Sequence, residues 1–350
     1  MSLADSAARR LGTIDGLRGV AALSVAWFHF TCGGGLLADG WLKSSGRYGW
    51  LGVEMFFVIS GFIIPYSLYR ANYRSRDFGV FLVKRVARLD PPYFTNILLI
   101  IILGYVVPLV PGFRGEYPHY TWSQLACHLG YINSIVGKPW VNPVFWSLGI
   151  EFQYYLTIGI VFPLLIVPRN LLRFGFLAAL LGSSFFFVRS GLVFEWWPLF
   201  IAGIFIFQSK VGLISTKMLL VALAVTGVVS WRVNGFSIAV IAIGTALIIR
   251  FVHLRPSRLT DLGLISYSLY LLHVPIGGKI VNVGARFGCS LPMQVLVLAA
   301  AVVASVGTAA LFYLFIELPS QRLSSRLQYN NRCRVKLARA AIGAVVVHGD

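Results

Sequence analysis

Long apolar stretches are the feature that most constrains the fold of this sequence. Hydrophobic residues make up 57% of the 350 residues and charged residues only 12%, about half the charged fraction of a soluble domain. A helix of about 20 apolar residues crosses the hydrocarbon core of a bilayer. Stretches of roughly this length occur ten times, near residues 14–32, 50–69, 93–110, 144–167, 171–188, 194–208, 218–231, 236–252, 262–283 and 293–316. The sequence therefore predicts an all-α integral membrane protein, a bundle of about ten transmembrane helices.

The distribution of basic residues predicts which side of the membrane each loop occupies. With the N-terminus in the cytoplasm, 22 of the 30 Lys and Arg residues fall in inner segments and 8 in outer segments. Basic residues accumulate in cytoplasmic loops, so both termini are predicted to be cytoplasmic. The same bias accounts for the net charge of +18 without a nucleic-acid partner. We divide the chain into a cytoplasmic N-terminus (1–12), a membrane domain (13–320) and a basic cytoplasmic tail (321–350) suited to anionic lipid.

Two further sequence features concern the class of protein to which this chain belongs. Four cysteines are scattered without a CxxC pair, so neither a metal site nor a disulfide framework is expected: Cys32, Cys127, Cys289 and Cys333. The first apolar stretch lacks the small-residue cleavage site of a signal peptide and is expected to remain as a membrane anchor.

Arg18 and His29 are ionisable residues within the first apolar stretch. Charged groups at membrane depth are costly unless they are paired or solvated, so each is a candidate for function. Eleven residues separate the two, which on a helix brings them to within about 20° of the same face and about 16 Å apart. Arginine is a good phosphate ligand, and histidine is the natural base near neutral pH. A positive-inside anchor and a structural histidine are the alternative interpretations.

Other ionisable residues are expected near the same site. Glu54, near the outer end of the second stretch, is positioned to hold the tautomer of His29, or else to complement its own helix terminus. Glu151 and His273 are candidates for the acceptor cavity or for structural hydrogen bonds between helices.

A basic cluster precedes the third apolar stretch. Arg85 and Arg88 share a face if their segment is helical and would grip the phosphates of a nucleotide-like donor or a lipid headgroup. Pro91 and Pro92 suit the start of a helix. The Ser60-Gly61 pair of the second stretch indicates close helix packing rather than a nucleophile.

These elements together resemble the acyltransferase-3 family of polytopic membrane acyltransferases. The family's motifs occur in its order between about residues 12 and 320. They are Ile14–Ala22 with His29, Gly52–Phe62, Arg85-x-x-Arg88 with a following Pro92-Tyr93, Trp146–Glu151 with Tyr154 and Tyr155, Ser266–His273, and Glu317-Leu318-Pro319. Each motif is short, and the specificity lies in the complete ordered set.

The resemblance implies transfer of an acyl group, often acetyl, from cytoplasmic acyl-CoA to a hydroxyl of a cell-surface or exported carbohydrate. The implied site residues are His29 and Glu54 for catalysis, Arg18, Arg85 and Arg88 for acyl-CoA, and Glu151, Tyr154 and His273 for the acceptor cavity. No cofactor is expected to be bound, since acyl-CoA is a co-substrate. The partners implied are membrane lipid and a carbohydrate or lipid-linked glycan, and the location is a bacterial inner membrane. Direct transfer or handover to a separate protein is expected, because no hydrolase-like domain follows the last stretch.

Two other functions remain open on the sequence. A transporter or flippase of a glycolipid or polysaccharide precursor shares the polytopic form and the sparse intramembrane charge. An acyltransferase acting on a non-sugar small molecule is the other. Consumption of acyl-CoA distinguishes the transporter from the enzymes. Aromatic residues of the outer loop at about 111–142 suit either sugar stacking or the membrane interface: Tyr117, Tyr120 and Trp122.

Overall fold

The computed structural model describes residues 3–33, 35–109, 119–187, 191–255, 257–287 and 290–329. Within these ranges the chain is helical and contains no β-strand. We number its α-helices in chain order as α1 (Leu3–Cys32), α2 (Trp41–Ser44), α3 (Gly52–Arg70), α4 (Phe78–Val106), α5 (Trp122–Leu129), α6 (Phe145–Ile166), α7 (Asn170–Ser183), α8 (Trp197–Lys210), α9 (Thr216–Asn234), α10 (Phe236–Phe251), α11 (Arg258–Leu264), α12 (Ser266–Leu272), α13 (Lys279–Gly284), α14 (Leu291–Phe312) and α15 (Leu318–Arg326).

The helices agree with the predicted apolar stretches, each of which overlaps at least one helix. Among the described residues, five helical segments are long and apolar enough to cross a membrane, namely Trp41–Arg70, Ser75–Leu109, Phe145–Ile166, Thr216–Asn234 and Leu291–Arg326. Two shorter helices, α7 and α10, are also apolar. The helical membrane class is confirmed, while the count of about ten spans and the side of the termini stay predictions.

Helix α4 begins earlier than the sequence predicts. Pro91 and Pro92 were expected at a helix start, but α4 begins at Phe78 and runs through both prolines. A proline lacks the N–H that would donate to the carbonyl one turn earlier, and a membrane helix tolerates this where neighbouring groups supply polar contacts. The two prolines leave the carbonyls of Ala87 and Arg88 without a backbone donor, and the adjacent Leu89 O accepts from the Tyr267 hydroxyl at 3.0 Å. The prediction of a helix boundary at the proline pair was therefore wrong.

The ninth apolar stretch is an interrupted helix. A π-helical segment, His273–Gly278, separates α12 from α13 and contains Pro275. Within it, a Cβ atom on Gly277 would collide with the Phe30 ring of α1 and with Ser305 of α14. This close approach holds the π-helical segment against α1, and π-helical turns of this kind are frequent at functional sites.

The core of the protein includes a tight crossing of α3 and α8. A Cβ atom on Gly61 would collide with the backbone of Phe200, and one on Gly203 would collide with the backbone of Val58. The two helices approach closely because both have glycine at the crossing. The interpretation of the Ser60-Gly61 pair as a packing element is thus confirmed for Gly61.

Replacing Gly61 by alanine is expected to destabilise the protein by about 1–3 kcal/mol, because an added methyl group must displace the backbone of α8. The matched control is Gly244→Ala in α10, where an added Cβ has no atom within 4 Å. That change is expected to be neutral or stabilising, since alanine is the better helix former. Thermal unfolding of the detergent-solubilised protein measures both. Equal unfolding midpoints for the two variants would contradict a close crossing at Gly61.

The chain continues beyond the last apolar stretch along helix α4. Lys84 donates hydrogen bonds to Ser324 O at 2.8 Å and to Leu327 O at 2.6 Å. In return, the Ser324 hydroxyl donates to Lys84 O at 2.7 Å. The first part of the predicted tail is thereby packed against the membrane domain. Residues 330–350 of that tail, and Tyr117 of the predicted outer loop, lie outside the described residues.

Candidate functional site

A cavity of about 440 Å³ gathers several of the predicted site residues, and we call it the Arg18 cavity. Arg18 reaches it from α1, and Arg85 and Arg88 reach it from consecutive turns of α4. Glu151 of α6 lines it too, together with Glu317 at the end of a π-helical segment after α14. The three arginines assigned to donor binding therefore lie in one cavity, and their role in donor binding stays a prediction. Glu151 was expected in the acceptor cavity, but it lies with the arginines and not with His29.

Three acidic residues, Asp15, Glu151 and Glu317, line the Arg18 cavity, and the two glutamates are held by hydroxyl donors. Ser60 donates to Glu151 Oε1 at 2.5 Å, and Tyr155 also hydrogen-bonds this carboxylate. Glu317 accepts from the Ser268 hydroxyl at 2.6 Å and from the Ser268 amide at 3.2 Å. Fixed hydrogen bonds of this kind keep both carboxylates away from direct pairing with the arginines.

The guanidinium groups of the cavity lack direct acidic partners. In the described part of the chain, an ion pair within 4.0 Å is found only between Lys43 and Asp39, on the surface. Arg18, Arg85 and Arg88 thus have carboxylates nearby but none in direct contact. Their N–H groups remain available to an anionic ligand, and the planar fork of arginine suits phosphate oxygens.

A second cavity, of about 430 Å³, contains the predicted base, and we call it the His29 cavity. The half-buried His29 lines it with two amides, Asn142 and Asn282, and with Tyr120 from the segment before α5. Lys279 adds a positive charge, and no carboxylate is present among the described residues that line the cavity. The cavity therefore places a histidine beside groups that can hydrogen-bond a polar acceptor.

His29 is paired with His273, and the hydrogen bonds determine the tautomers of both rings. His29 Nδ1 lies 2.9 Å from Val25 O, and His273 Nδ1 lies 3.1 Å from Leu269 O. Carbonyl oxygens only accept, so each Nδ1 carries a proton. His273 Nε2, 3.3 Å from His29 Nδ1, must then accept. This assignment leaves His29 Nε2 with a free lone pair, as a base requires.

Hydrogen bonds link the walls of the two cavities. The Tyr270 hydroxyl donates to Val144 O at 2.9 Å and lies 2.6 Å from the Ser147 hydroxyl. Asn142 donates to Leu271 O at 3.1 Å. Tyr270 and Ser147 line the Arg18 cavity, whereas Asn142 lines the His29 cavity, and the two cavities share no lining residue. A thin polar layer therefore lies between them.

Three predicted site residues, Glu54, Tyr154 and His273, line neither cavity. Glu54 is buried at the start of α3, and its Oε2 atom has no hydrogen-bond partner among the described residues. Val25 and His273 occupy the Nδ1 side of His29, where Glu54 was expected. Tyr154 is buried and stacks on Phe200 with ring centroids 4.1 Å apart. The next residue, Tyr155, lines the Arg18 cavity instead.

Other residues of the site were not assigned roles from sequence. Glu317 is an acid at the end of an apolar stretch, a signal that could have identified it. Tyr155 and Tyr270 carry no such signal, because tyrosine is common throughout membrane helices and at their ends. The pairing of His29 with His273 joins residues 244 positions apart. Sequence periodicity describes one helix at a time and does not reveal such pairs.

No group of three His, Cys, Asp or Glu side chains that could hold a metal ion occurs in the described ranges. Cys32 and Cys127 are free there, and the other two cysteines lie outside those ranges. The groups suited to a charged co-substrate are therefore the arginines of the Arg18 cavity.

A buried histidine of the outer loop supports the His29 cavity. His128 Nε2 accepts a hydrogen bond from the Val141 amide at 3.4 Å, so its Nδ1 donates to the Tyr93 hydroxyl at 2.6 Å. Val141 and the following Asn142 line the His29 cavity. Burial lowers the pKa of His128 to about 4. The ring is therefore neutral near neutral pH, as acceptance from Val141 requires.

Stability is expected to fall on acidification because of His128. Its folded pKa is about 4 and its ordinary value is 6.5. Between these values the unfolded chain binds the extra proton, so the contribution present above pH 6.5 is lost as the pH falls toward 4, by at most about 3 kcal/mol. Unfolding midpoints at pH 7.5, 6 and 5 measure the loss. A His128→Gln variant should show a shallower pH dependence, and an unchanged slope would contradict the assignment.

The chain is similar in sequence to proteins that are named as O-acetyltransferases. The chain is 26% identical over 369 residues to the O-acetyltransferase OatA of Staphylococcus aureus (strain NCTC 8325 / PS 47), covering 90% of this chain and 58% of that relative. It is 32% identical over 157 residues to the putative peptidoglycan O-acetyltransferase YrhL of Bacillus subtilis (strain 168), covering 42% and 23%. It is 28% identical over 153 residues to the peptidoglycan O-acetyltransferase OatA of Listeria monocytogenes serovar 1/2a, covering 41% and 23%.

The chain thus spans a little over half the length of the first of these relatives. No solved structure matches it. The model of the acyltransferase-3 family, described as an acyltransferase domain, matches residues 11–314, which include both cavities' principal side chains except Glu317. On the extent of this match, the chain belongs to the acyltransferase-3 family.

Proposed function

We propose that the protein is a membrane O-acyltransferase that moves an acyl group, in the first instance acetyl, from cytoplasmic acyl-CoA to a hydroxyl of a cell-surface or exported carbohydrate. The observation that carries the proposal is the continuous helix α1, which presents Arg18 to one cavity and His29 to another about 16 Å away along its axis. An anion-binding end and a basic end at this separation suit the phosphates and the reactive thioester of one extended acyl-CoA.

The donor binds in the Arg18 cavity in this proposal. Arg18, Arg85 and Arg88 hold its phosphates, because their guanidinium groups have no carboxylate in direct contact. The arm of the donor extends toward His29, and passage requires the polar layer at Tyr270 and Ser147 to separate. Asp15, Glu151 and Glu317 balance the charge of the three arginines when no donor is present.

His29 acts as the general base. Its Nε2 removes the proton of the acceptor hydroxyl while the hydroxyl oxygen attacks the thioester carbonyl. The C–S bond breaks, the ester forms, and the proton passes from Nε2 to the departing CoA sulfur. His273 holds the Nδ1 proton of His29 in place throughout, in the manner of the orienting member of a catalytic dyad.

The acceptor binds in the His29 cavity. Two of the relatives are named as peptidoglycan O-acetyltransferases, which supports a glycan acceptor. Asn142, Asn282 and Tyr120 supply donors and acceptors for sugar hydroxyls. We place about ten spans in a bacterial inner membrane with both termini cytoplasmic, since this orientation puts the Arg18 cavity on the side where acyl-CoA is made.

Transfer of labelled acetyl groups tests the proposal. Inverted vesicles expose the cytoplasmic face, so label from acetyl-CoA is expected in the glycan fraction of vesicles that contain the protein. Vesicles without the protein are the control. Right-side-out vesicles given labelled acetyl-CoA on the outside should show no transfer. Unchanged acetyl-CoA in inverted vesicles that hold glycan would contradict the enzyme and favour the transporter.

A further inference from the structure

A third cavity adjoins the Arg18 cavity, and we call it the Lys84 cavity. It has a volume of about 380 Å³ and shares Ser67, Arg85, Arg88 and Gln321 with its neighbour. Lys84 adds a third basic side chain, and no carboxylate is present among the described residues that line it. Glu151 and Glu317 line only the Arg18 cavity. The Lys84 cavity is therefore the more strongly cationic of two adjoining cavities.

The C-terminal segment 318–329 forms one wall of the Lys84 cavity. Ser325, Gln328 and Tyr329 line it from this segment. The hydrogen bonds from Lys84 to the segment's backbone fix the wall on α4. Tyr329 is buried, and its ring lies 5.9 Å from that of Tyr73. This wall lies beyond residue 314, where the match to the family ends.

The shape and charge of the Lys84 cavity select its ligand. Three basic groups without a carboxylate favour a ligand with more than one phosphate over a lipid headgroup with a single phosphate. The two cavities share Arg85 and Arg88, so a ligand with an extended chain can occupy both at once. An adenosine carrying a 3′-phosphate and a 5′-diphosphate, attached to an extended arm, meets both conditions.

We infer that the Lys84 cavity binds the 3′-phosphorylated nucleotide end of the acyl-CoA donor, with the segment 318–329 as a wall that contributes to donor selection. This inference rests on the proposed function for its donor. It assigns a binding role to Lys84, Ser325 and Gln328, none of which the sequence analysis placed in the site.

Binding of adenosine 3′,5′-bisphosphate to the full chain in neutral-lipid nanodiscs tests the inference without turnover. Ser325 and Gln328 are exposed, so a carboxylate is tolerated at either position. Ser325→Asp and Gln328→Glu each bring a negative charge to the cavity and are expected to weaken binding about tenfold. Ser325→Asn is the neutral control for Ser325→Asp. The native protein, with the isosteric glutamine, is the control for Gln328→Glu. Replacement of acetyl-CoA by its 3′-dephospho form should weaken binding similarly.

Three outcomes would overturn the inference, each in a distinguishable way. Equal affinity for acetyl-CoA and 3′-dephospho-acetyl-CoA would reject the nucleotide site and leave the proposed function standing. Absence of any acetyl-CoA binding would reject both. Stabilisation of the protein by added phosphatidylglycerol that Ser325→Asp removes, together with no response to adenosine 3′,5′-bisphosphate, would identify a lipid headgroup site instead.

Discussion

Replacing His29 with asparagine is expected to lower the rate of acyl transfer by about 10²–10⁴-fold, the range typical of a lost general base. An asparagine amide can still donate to Val25 O, as His29 Nδ1 does, so the local structure of α1 is retained. The variant lacks an atom equivalent to Nε2 and cannot remove the proton of the acceptor. Affinity for acetyl-CoA should be unchanged, because the phosphates bind at the other cavity.

Initial rates of label transfer in inverted vesicles, normalised to the amount of inserted protein, measure this loss. His253→Asn is the matched control, since His253 is exposed after α10 and lines neither cavity. Equal rates for the His29 variant and the control would exclude His29 as the base. They would leave open a different base for the same reaction.

Replacing His273 with leucine is expected to reduce kcat about 10–100-fold with little change in the KM for acetyl-CoA. His273 Nε2 accepts from His29 Nδ1, so its removal leaves Val25 O as the remaining acceptor that holds the His29 ring. A misoriented ring lowers the rate of proton transfer rather than donor binding.

A His273→Gln variant separates positioning from packing. The glutamine side-chain oxygen can accept from His29 Nδ1, so most of the activity lost in the leucine variant should return. The His29→Asn, His273→Leu double variant should be no slower than His29→Asn alone, because the two residues act as a unit. Additive losses, or a glutamine variant as slow as leucine, would show that His273 has a structural role only.

The site was only partly predictable, and the failures are of one kind. The three arginines could be grouped from sequence because they lie near the ends of apolar stretches, and helical periodicity places Arg85 and Arg88 on one face. They line one cavity, and their binding of a donor stays a prediction. The partner of His29 was not predicted, since Glu54 was expected where the structure has Val25 and His273. Which side chain reaches a given atom depends on how helices pack, and packing is not periodic in sequence.

The boundaries of helices were also only partly predictable from the sequence. The apolar stretches located nearly every helix, because burial in lipid requires long apolar runs with internal backbone hydrogen bonds. The proline pair at 91–92 did not begin a helix, since α4 continues through it, and contacts from distant residues such as Tyr267 to this part of α4 are not visible in sequence. The π-helical segment that carries His273 was likewise invisible in sequence, since α1 and α14 hold it in place.

The sequence by itself determined that this protein is an all-helical membrane protein of the acyltransferase-3 family, because both hydropathy and the ordered motifs are local properties of the chain. Tertiary structure alone decided that His273 pairs with His29, that Tyr155 rather than Tyr154 lines the Arg18 cavity, and that the segment after Glu317 closes the Lys84 cavity. These facts depend on the angle and depth at which helices meet, which follow from side-chain packing across residues far apart in the chain.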